Sequence, residues 1–201
     1  MTKFKLYIKS AKQVVLIRRD AKISVLRGKD MQTVQTMEEK DQCGISILVN
    51  RDGMIEYIGH DSDCERTYKE IQADKIIHAA GKCVLPGFVD AHTHPVWAGD
   101  RVHEFAMKLA GATYMEVHKA GGGIHYTVEH TREASEEELL TSLTERLKNM
   151  LICGTTFVEC KSGYGLDAEN EIKMLKVIHK ARHIVQIGIS STYCGAHAVP
   201  K

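Results

Sequence analysis

The sequence predicts an α/β fold in two parts: a β-rich segment over residues 1–80, and a run of βα-type units over residues 81–201. Three observations carry the prediction. In the first part apolar residues come in short, strand-length runs, two of them joined across Asn50-Arg51-Asp52-Gly53. In the second part apolar runs alternate with amphipathic helical stretches, the pattern of parallel strands with helices between them. The composition, 43% apolar and 26% charged with a net charge of +1, suffices for a buried core. It also leaves no basic excess pointing to nucleic acid or anionic lipid. No apolar run approaches the ~20 residues of a membrane span. The opening MTKFKLYIKSAKQVV alternates polar and apolar residues and lacks the apolar block of a signal peptide. The six cysteines form no CxxC pair and read as reduced thiols of a cytoplasmic protein.

Lys5-Leu6-Tyr7-Ile8 and Gln13-Val14-Val15-Leu16-Ile17 are strand-like. Residues 28–43 show no clear period and are expected to be a surface loop. Gly44–Val49 and Met54–Ile58 flank Asp52-Gly53, a hairpin signal because glycine accepts the positive φ of the turn. The polar stretch 60–75 is expected to hold a short helix. Cys83-Val84-Leu85-Pro86-Gly87-Phe88-Val89-Asp90 is nearly continuous in apolar residues, as a strand buried in a parallel sheet would be. A helical region follows over 102–119, then a loop at Gly121-Gly122-Gly123. Ser135 and Glu138 have the spacing of a capping box, and Leu139, Leu140, Leu143, Leu147, Met150 and Leu151 mark one face of the helix it opens. Gly154 ends that helix. Thr155–Cys160 reads as a strand. Asp167 caps a helix with Ile172, Leu175 and Ile178 on its apolar side, and Ile184–Ser190 reads as a third strand. An eight-unit barrel needs at least ~200 residues, more than remain after Cys83, so these units form an incomplete barrel at most.

Residues i and i+2 of a strand share a face. His92 and His94, in VDAHTHP, therefore stand side by side just past an apolar strand. That is the end at which β/α barrels place their chemistry. Two neutral imidazoles suit zinc or iron(II), but a zinc site wants at least three protein ligands. Glu159 and Lys161 share a face by the same rule and are expected to pair. His103, His118, His125 and His130 have no spacing that argues for ligation.

The run PGFVDAHTHP resembles the first-strand signature of the amidohydrolase superfamily of metal-dependent hydrolases. HTHPVWAGDR, AGGGI, GTTFVECKSGYGL and TYCGAHAVP are similar to the imidazolonepropionase family in particular. The resemblance is close over 81–201 and general over 1–80. It implies a metal-containing β/α barrel with a small β-sandwich built from both chain ends. Residues 1–80 would then be part of the sandwich, and 81–201 the first three βα units of the barrel. The implied reaction is hydrolysis of 4-imidazolone-5-propanoate to N-formimidoyl-L-glutamate in histidine breakdown, with one divalent metal, zinc or iron.

The resemblance implies His92 and His94 as metal ligands, and Arg101, Tyr164 and His197 as substrate-binding residues. Arg101 would grip the propanoate carboxylate through two hydrogen bonds. The family pattern uses one metal, so Lys161 is not expected to be a carbamylated, metal-bridging lysine. In the family the remaining ligands, a histidine and an aspartate, and the acid–base glutamate and histidine come from later strands. No catalytic acid or base is therefore expected within these 201 residues. The expectation is weak metal binding, no turnover by this chain alone, and association through an open strand edge at Ile184–Ile189. The partners expected are a small-molecule substrate and, for the whole enzyme, a second copy in a homodimer, with no nucleic acid and no membrane. Two alternatives stand beside this: a non-catalytic chain that binds metal weakly or joins another polypeptide, and a different cyclic amidohydrolase or deaminase. The family-specific flanks of Arg101 and Tyr164 weigh against the second of these.

Overall fold

The computed structural model describes residues 3–17 and 25–200; the side chain of His118 lies outside that description. The chain divides into two compact units, Met1–Pro86 and Gly87–Lys201.

The first unit holds β1 (Lys3–Ala11), β2 (Gln13–Leu16), a 3-10 turn at Gly28–Gln32, β3 (Gln35–Glu38), β4 (Ile45–Val49), β5 (Ile55–His60), α1 (Asp61–Thr67), β6 (Gln72–His78) and β7 (Cys83–Val84). A four-stranded sheet runs β5-β4-β1-β6 and a three-stranded sheet runs β3-β2-β7. The hairpin signal was legible: β4 and β5 pair antiparallel, Gly53 takes a φ of 82°, and the Asn50 carboxamide oxygen accepts from the Asp52 and Met54 amides. The segment 28–43 is more ordered than its sequence suggests. Gln35–Glu38 pairs with β2, a contact that no local periodicity announces. The stretch 60–75 divides into α1 and the start of β6. Phe4, Tyr7, Leu48 and Cys64 form one core cluster, and Ala11, Val14, Ile45, Ile47 and Ala79 another.

The second unit holds β8 (Phe88–Thr93), α2 (Val102–Leu109), α3 (Tyr114–Lys119), α4 (Ile124–Glu133), α5 (Glu136–Ile152), β9 (Thr155–Lys161), α6 (Ala168–Ala181) and β10 (Gly188–Thr192). Its sheet has the order β10-β9-β8, and both pairings are parallel. The expected strand over 83–90 is in fact two strands in two sheets. Proline lacks an amide hydrogen for a ladder, and the chain leaves β7 before Pro86-Gly87 and re-enters as β8. Nor is β8 buried on both faces: Phe88 and Val89 are exposed.

The capping box is present as expected. The Ser135 hydroxyl accepts from the Glu138 amide while the Glu138 carboxylate accepts from the Ser135 amide. Leu139, Leu143 and Leu147 of α5 are buried, each stabilising by roughly 1.5–3 kcal/mol. They meet Met174, Val177, Ile178 and Ala181 of α6 over Val158 and Cys160 of β9. On α6 the buried face is set by Glu171, Met174, Val177, Ile178 and Ala181, so Ile172 is exposed, against expectation. The third strand also begins later than its apolar pattern suggests. Ile184 and Val185 donate their amides to the Ala181 carbonyl as the helix unwinds, Ile187 is buried outside the ladder, and pairing starts at Gly188. The helical region 102–119 is broken at Gly111, and α4 follows the Gly121–Gly123 loop unannounced.

Candidate functional site

The register of the parallel sheet aligns its strand ends. Thr93 of β8 lies opposite Cys160 of β9, and Thr192 of β10 lies opposite Lys161. The segments that leave these strands emerge together. They carry His94, Tyr164 and His197.

The rings of His94 and His197 stack with centroids 4.1 Å apart and planes 9° from parallel. The Tyr164 ring tilts against both, at 5.5 Å and 5.3 Å. The loop after β9 fixes the two imidazoles. The Ser162 carbonyl lies 2.8 Å from His94 Nδ1, and the Gly163 carbonyl lies 3.0 Å from His197 Nδ1. A carbonyl can only accept, so each Nδ1 carries its proton and donates it, and in the neutral form of either ring Nε2 keeps the lone pair. Ser162 is itself buried; its hydroxyl accepts from the Cys194 amide at 2.9 Å. Gly163 has a φ of 120°, and a Cβ there would come within 2.9 Å of the His197 ring. Burial and then the neighbouring His197 lower the pKa of His94, which keeps it neutral near pH 7. Burial raises the pKa of the Tyr164 hydroxyl.

His92 is exposed, its ring 6.2 Å from that of His94 and nearly perpendicular to it. A neutral His94 with Nδ1 anchored on a carbonyl has the donor form that zinc and iron(II) take. Among the described residues, however, no third His, Cys, Asp or Glu joins the pair in a metal-ligating group. The residues present therefore fit part of a metal site.

Arg101 is exposed at the start of α2 and does not join the His94–Tyr164–His197 cluster by ring contact. It lines, with Trp97, Gly99, Thr127 and Tyr164, a cleft of about 190 Å3. Its guanidinium is also engaged. Nε donates to Glu104 Oε1 at 2.7 Å and Nη2 to Oε2 at 2.5 Å. Trp97 is backed by Arg146, whose guanidinium carbon lies 3.6 Å from the ring centroid. Arg146 Nη1 donates to the carbonyls of Pro95 and Trp97. Lys161 meets Glu159 at 2.7 Å, and Thr192 Oγ1 donates to the same carboxylate oxygen, so the pKa of Glu159 is lowered, first by Lys161 and then by Thr192. His130 Nδ1 donates to the Tyr126 carbonyl at 2.8 Å, a satisfied helical histidine. All six cysteines are free.

Three participants escaped sequence reasoning: Ser162, Gly163 and Glu104. The anchoring carbonyls of Ser162 and Gly163 carry no side-chain signal. Glu104 carried one, the Arg-x-x-Glu spacing that puts both ends on one helix face.

Solved structures with this fold include a triazine hydrolase from Arthobacter aurescens (TM-score 0.57, 14% identity, 94% of this chain and 35% of that one). Guanine deaminase from E. coli is another (TM-score 0.55, 15% identity, 92% and 36%). The atrazine chlorohydrolase TrzN of Arthrobacter aurescens was crystallised with zinc (TM-score 0.54, 14% identity, 94% and 35%). The class these define is the amidohydrolase fold. By sequence the chain is homologous to the imidazolonepropionases. It is 57% identical over 198 residues to a Danio rerio protein named "Probable imidazolonepropionase" (98% of this chain, 44% of the relative), and 56% identical over 196 residues to that of Homo sapiens (98% and 45%). The Dictyostelium discoideum relative of the same name is 49% identical over 199 residues (98% and 45%). The chain thus spans slightly under half the length of these curated relatives. No protein-family model matches it.

Proposed function

We propose that these residues form the substrate-facing part of an imidazolonepropionase site, at which 4-imidazolone-5-propanoate is hydrolysed to N-formimidoyl-L-glutamate in histidine breakdown. One observation carries the reading. His94, Tyr164 and His197, from three separate segments, converge at the ends of three parallel strands, and Tyr164 shares a cleft with Arg101. The three βα units are read as the first of a barrel, residues 81–201, and residues 1–80 as part of a β-sandwich.

In this reading Arg101 binds the propanoate carboxylate, and Tyr164 and His197 hold the ring by stacking and hydrogen bonding. His92 and His94 would hold one divalent ion, zinc or iron, which when bound supplies hydroxide at neutral pH. The Ser162 carbonyl keeps the Nε2 of His94 unprotonated for that task. Free cysteines accord with a cytoplasmic location, and a homodimer is the expected state of a whole enzyme.

The test is turnover of 4-imidazolone-5-propanoate, followed by loss of ring absorbance, with zinc and iron supplied separately. In a turnover-competent chain, Arg101→Lys is expected to lower kcat/KM about 10- to 150-fold, the loss of a charged hydrogen bond. Unchanged kinetics would remove Arg101 from the site. The lack of a third ligand among the described residues favours a second reading for the 201 residues alone: weak metal binding without turnover. Elemental analysis after gel filtration separates the two, since stoichiometric, chelator-resistant metal would sink the second.

A further inference from the structure

Glu104 sits in the first turn of α2, and its side chain is only 2% exposed. A carboxylate removed from water is costly unless its lone pairs are met. Here three donors meet them. Arg101 supplies Nε–H and an Nη2–H, and the Gly123 amide donates to Oε1 at 2.8 Å. The hydrogen bond from Arg101 is the first cause of the lowered pKa of Glu104, and the same bond raises that of Arg101, so both are charged across the neutral range. The Gly121-Gly122-Gly123 loop is shaped around this carboxylate: a Cβ on Gly122 would lie 2.9 Å from Glu104 Cδ and 2.9 Å from the Val117 side chain.

A guanidinium has five N–H donors arranged on more than one edge. The pair with Glu104 occupies the side-on edge, made by Nε and Nη2. A second carboxylate can reach only the end-on edge, made by Nη1 and the remaining Nη2 hydrogen. Arg101 also lines the cleft that holds Trp97 and Tyr164.

We propose that Glu104 is a positioning residue that clamps the side-on edge of Arg101 and so presents the end-on edge to the Trp97–Tyr164 cleft, making the cleft selective for a ligand with a carboxylate tail in one orientation. This rests on the reading of Arg101 as the carboxylate-binding group. A buried partner that fixes the fork removes the entropy of searching for it, so the second carboxylate finds the arginine pre-organised. Glu104 would then act on carboxylate ligands and not on neutral ones. A residue that only held α2 to its loop would not discriminate.

The experiment measures binding of two probes to the 201-residue chain by calorimetry. The first, 3-(imidazol-4-yl)propanoate, carries the carboxylate tail; the second, 4-propylimidazole, has the ring and no charge. Glu104→Gln keeps an oxygen for the Gly123 amide but offers Arg101 an amide in place of a carboxylate. It is expected to weaken the carboxylate probe about 10-fold or more and to leave the neutral probe unchanged. Arg101→Lys should do the same, and the double variant should be no weaker than either single one, because both break one unit. Gly122→Ala, which displaces the same carboxylate from the loop side, should reproduce the effect if Glu104→Gln folds poorly.

An Arg101→Lys variant that binds the carboxylate probe normally, or a chain that binds neither probe, would overturn the reading of Arg101 and the proposal with it. An Arg101 effect with no Glu104 effect would overturn the proposal alone. So would a Glu104→Gln that weakens both probes equally, the mark of a structural role.

Discussion

The two faces of the β8–β9–β10 sheet are built from alternate residues of the same strands, yet they have little in common. Val158 and Cys160 point into the core beneath α5 and α6, where Leu139, Leu143, Leu147, Met174 and Ile178 close over them. One residue along, Phe157, Glu159 and Lys161 belong to the other face. There Val89 is 66% exposed and Phe157 45% exposed, and an open depression is lined by Val89, Asp90, Ala91, Phe157, Glu159 and Ser190. The covered face does what a core does, and its sequence is apolar. The open face mixes aromatic, acidic and basic groups that pair with one another. Period-two alternation here separates packing from chemistry, and experiments can push on either side of that divide.

The largest contrast should be chemical. Burial pushes the Cys160 thiol up to about 12, so at pH 8 its thiolate fraction is on the order of 1,000-fold below that of an ordinary thiol of pKa ~8.5. Iodoacetamide followed by mass spectrometry should label exposed Cys153 and leave Cys160 intact until the protein unfolds. Comparable labelling would mean that the covered face opens freely. The folded pKa is raised, so the contribution of Cys160 is fully present below the unfolded thiol value and is lost as pH rises from there toward 12.

Next comes Leu143→Ala, which opens a cavity in the covered face and should destabilise by about 2–5 kcal/mol. Val89→Ala on the open face should stay within about ±0.5 kcal/mol. Urea titration followed by the fluorescence of Trp97, the one tryptophan in the sequence, compares them. Equal losses would erase the distinction between the faces. A smaller loss, about 1 kcal/mol, is expected for Ser135→Ala, which uncaps α5 without touching the sheet. The smallest effect should come from Glu159→Gln. The native carboxylate has a lowered pKa, so its contribution exists above the unfolded carboxylate value and disappears as pH falls through the folded one. The variant should therefore flatten the acid limb of the stability profile, read from melting temperatures between pH 3 and pH 7. An unchanged limb would show that the Glu159–Lys161 pair contributes nothing.

What the sequence made legible was local chemistry. Asp52-Gly53 names its own hairpin, Ser135 with Glu138 its own cap, and Asp167 another: its carboxylate accepts from the Asn170 amide. What it hid was pairing at a distance. Gln35–Glu38 is a strand only because β2 lies beside it. Ile184–Ile187 shows why an apolar run is a statement about burial and not about backbone: Ile187 is buried, but the ladder begins one residue later. The strand pattern made readable the placement of His92 at the end of β8 and of His94, Tyr164 and His197 in the segments that follow β8, β9 and β10. The stacking of His94 on His197 was not, because it depends on two main-chain carbonyls. Arg101 was readable as a cation; its engagement by Glu104 depends on the burial of that carboxylate against the Gly123 amide, which spacing does not show.

Arg146 holds the Trp97 ring from a helix far along the chain. It reaches back 51 residues to the Pro95 carbonyl and 49 to that of Trp97. The path of the chain just after His94 is thus a late instruction, written by a helix that has yet to be formed when β8 emerges. Closing such a span costs loop entropy before any contact rewards it. During refolding, pulse-labelled hydrogen exchange should find the α5 amides protected before that of Ala98, which is held by Thr131 Oγ1. The site would then be assembled in the reverse of its order along the chain.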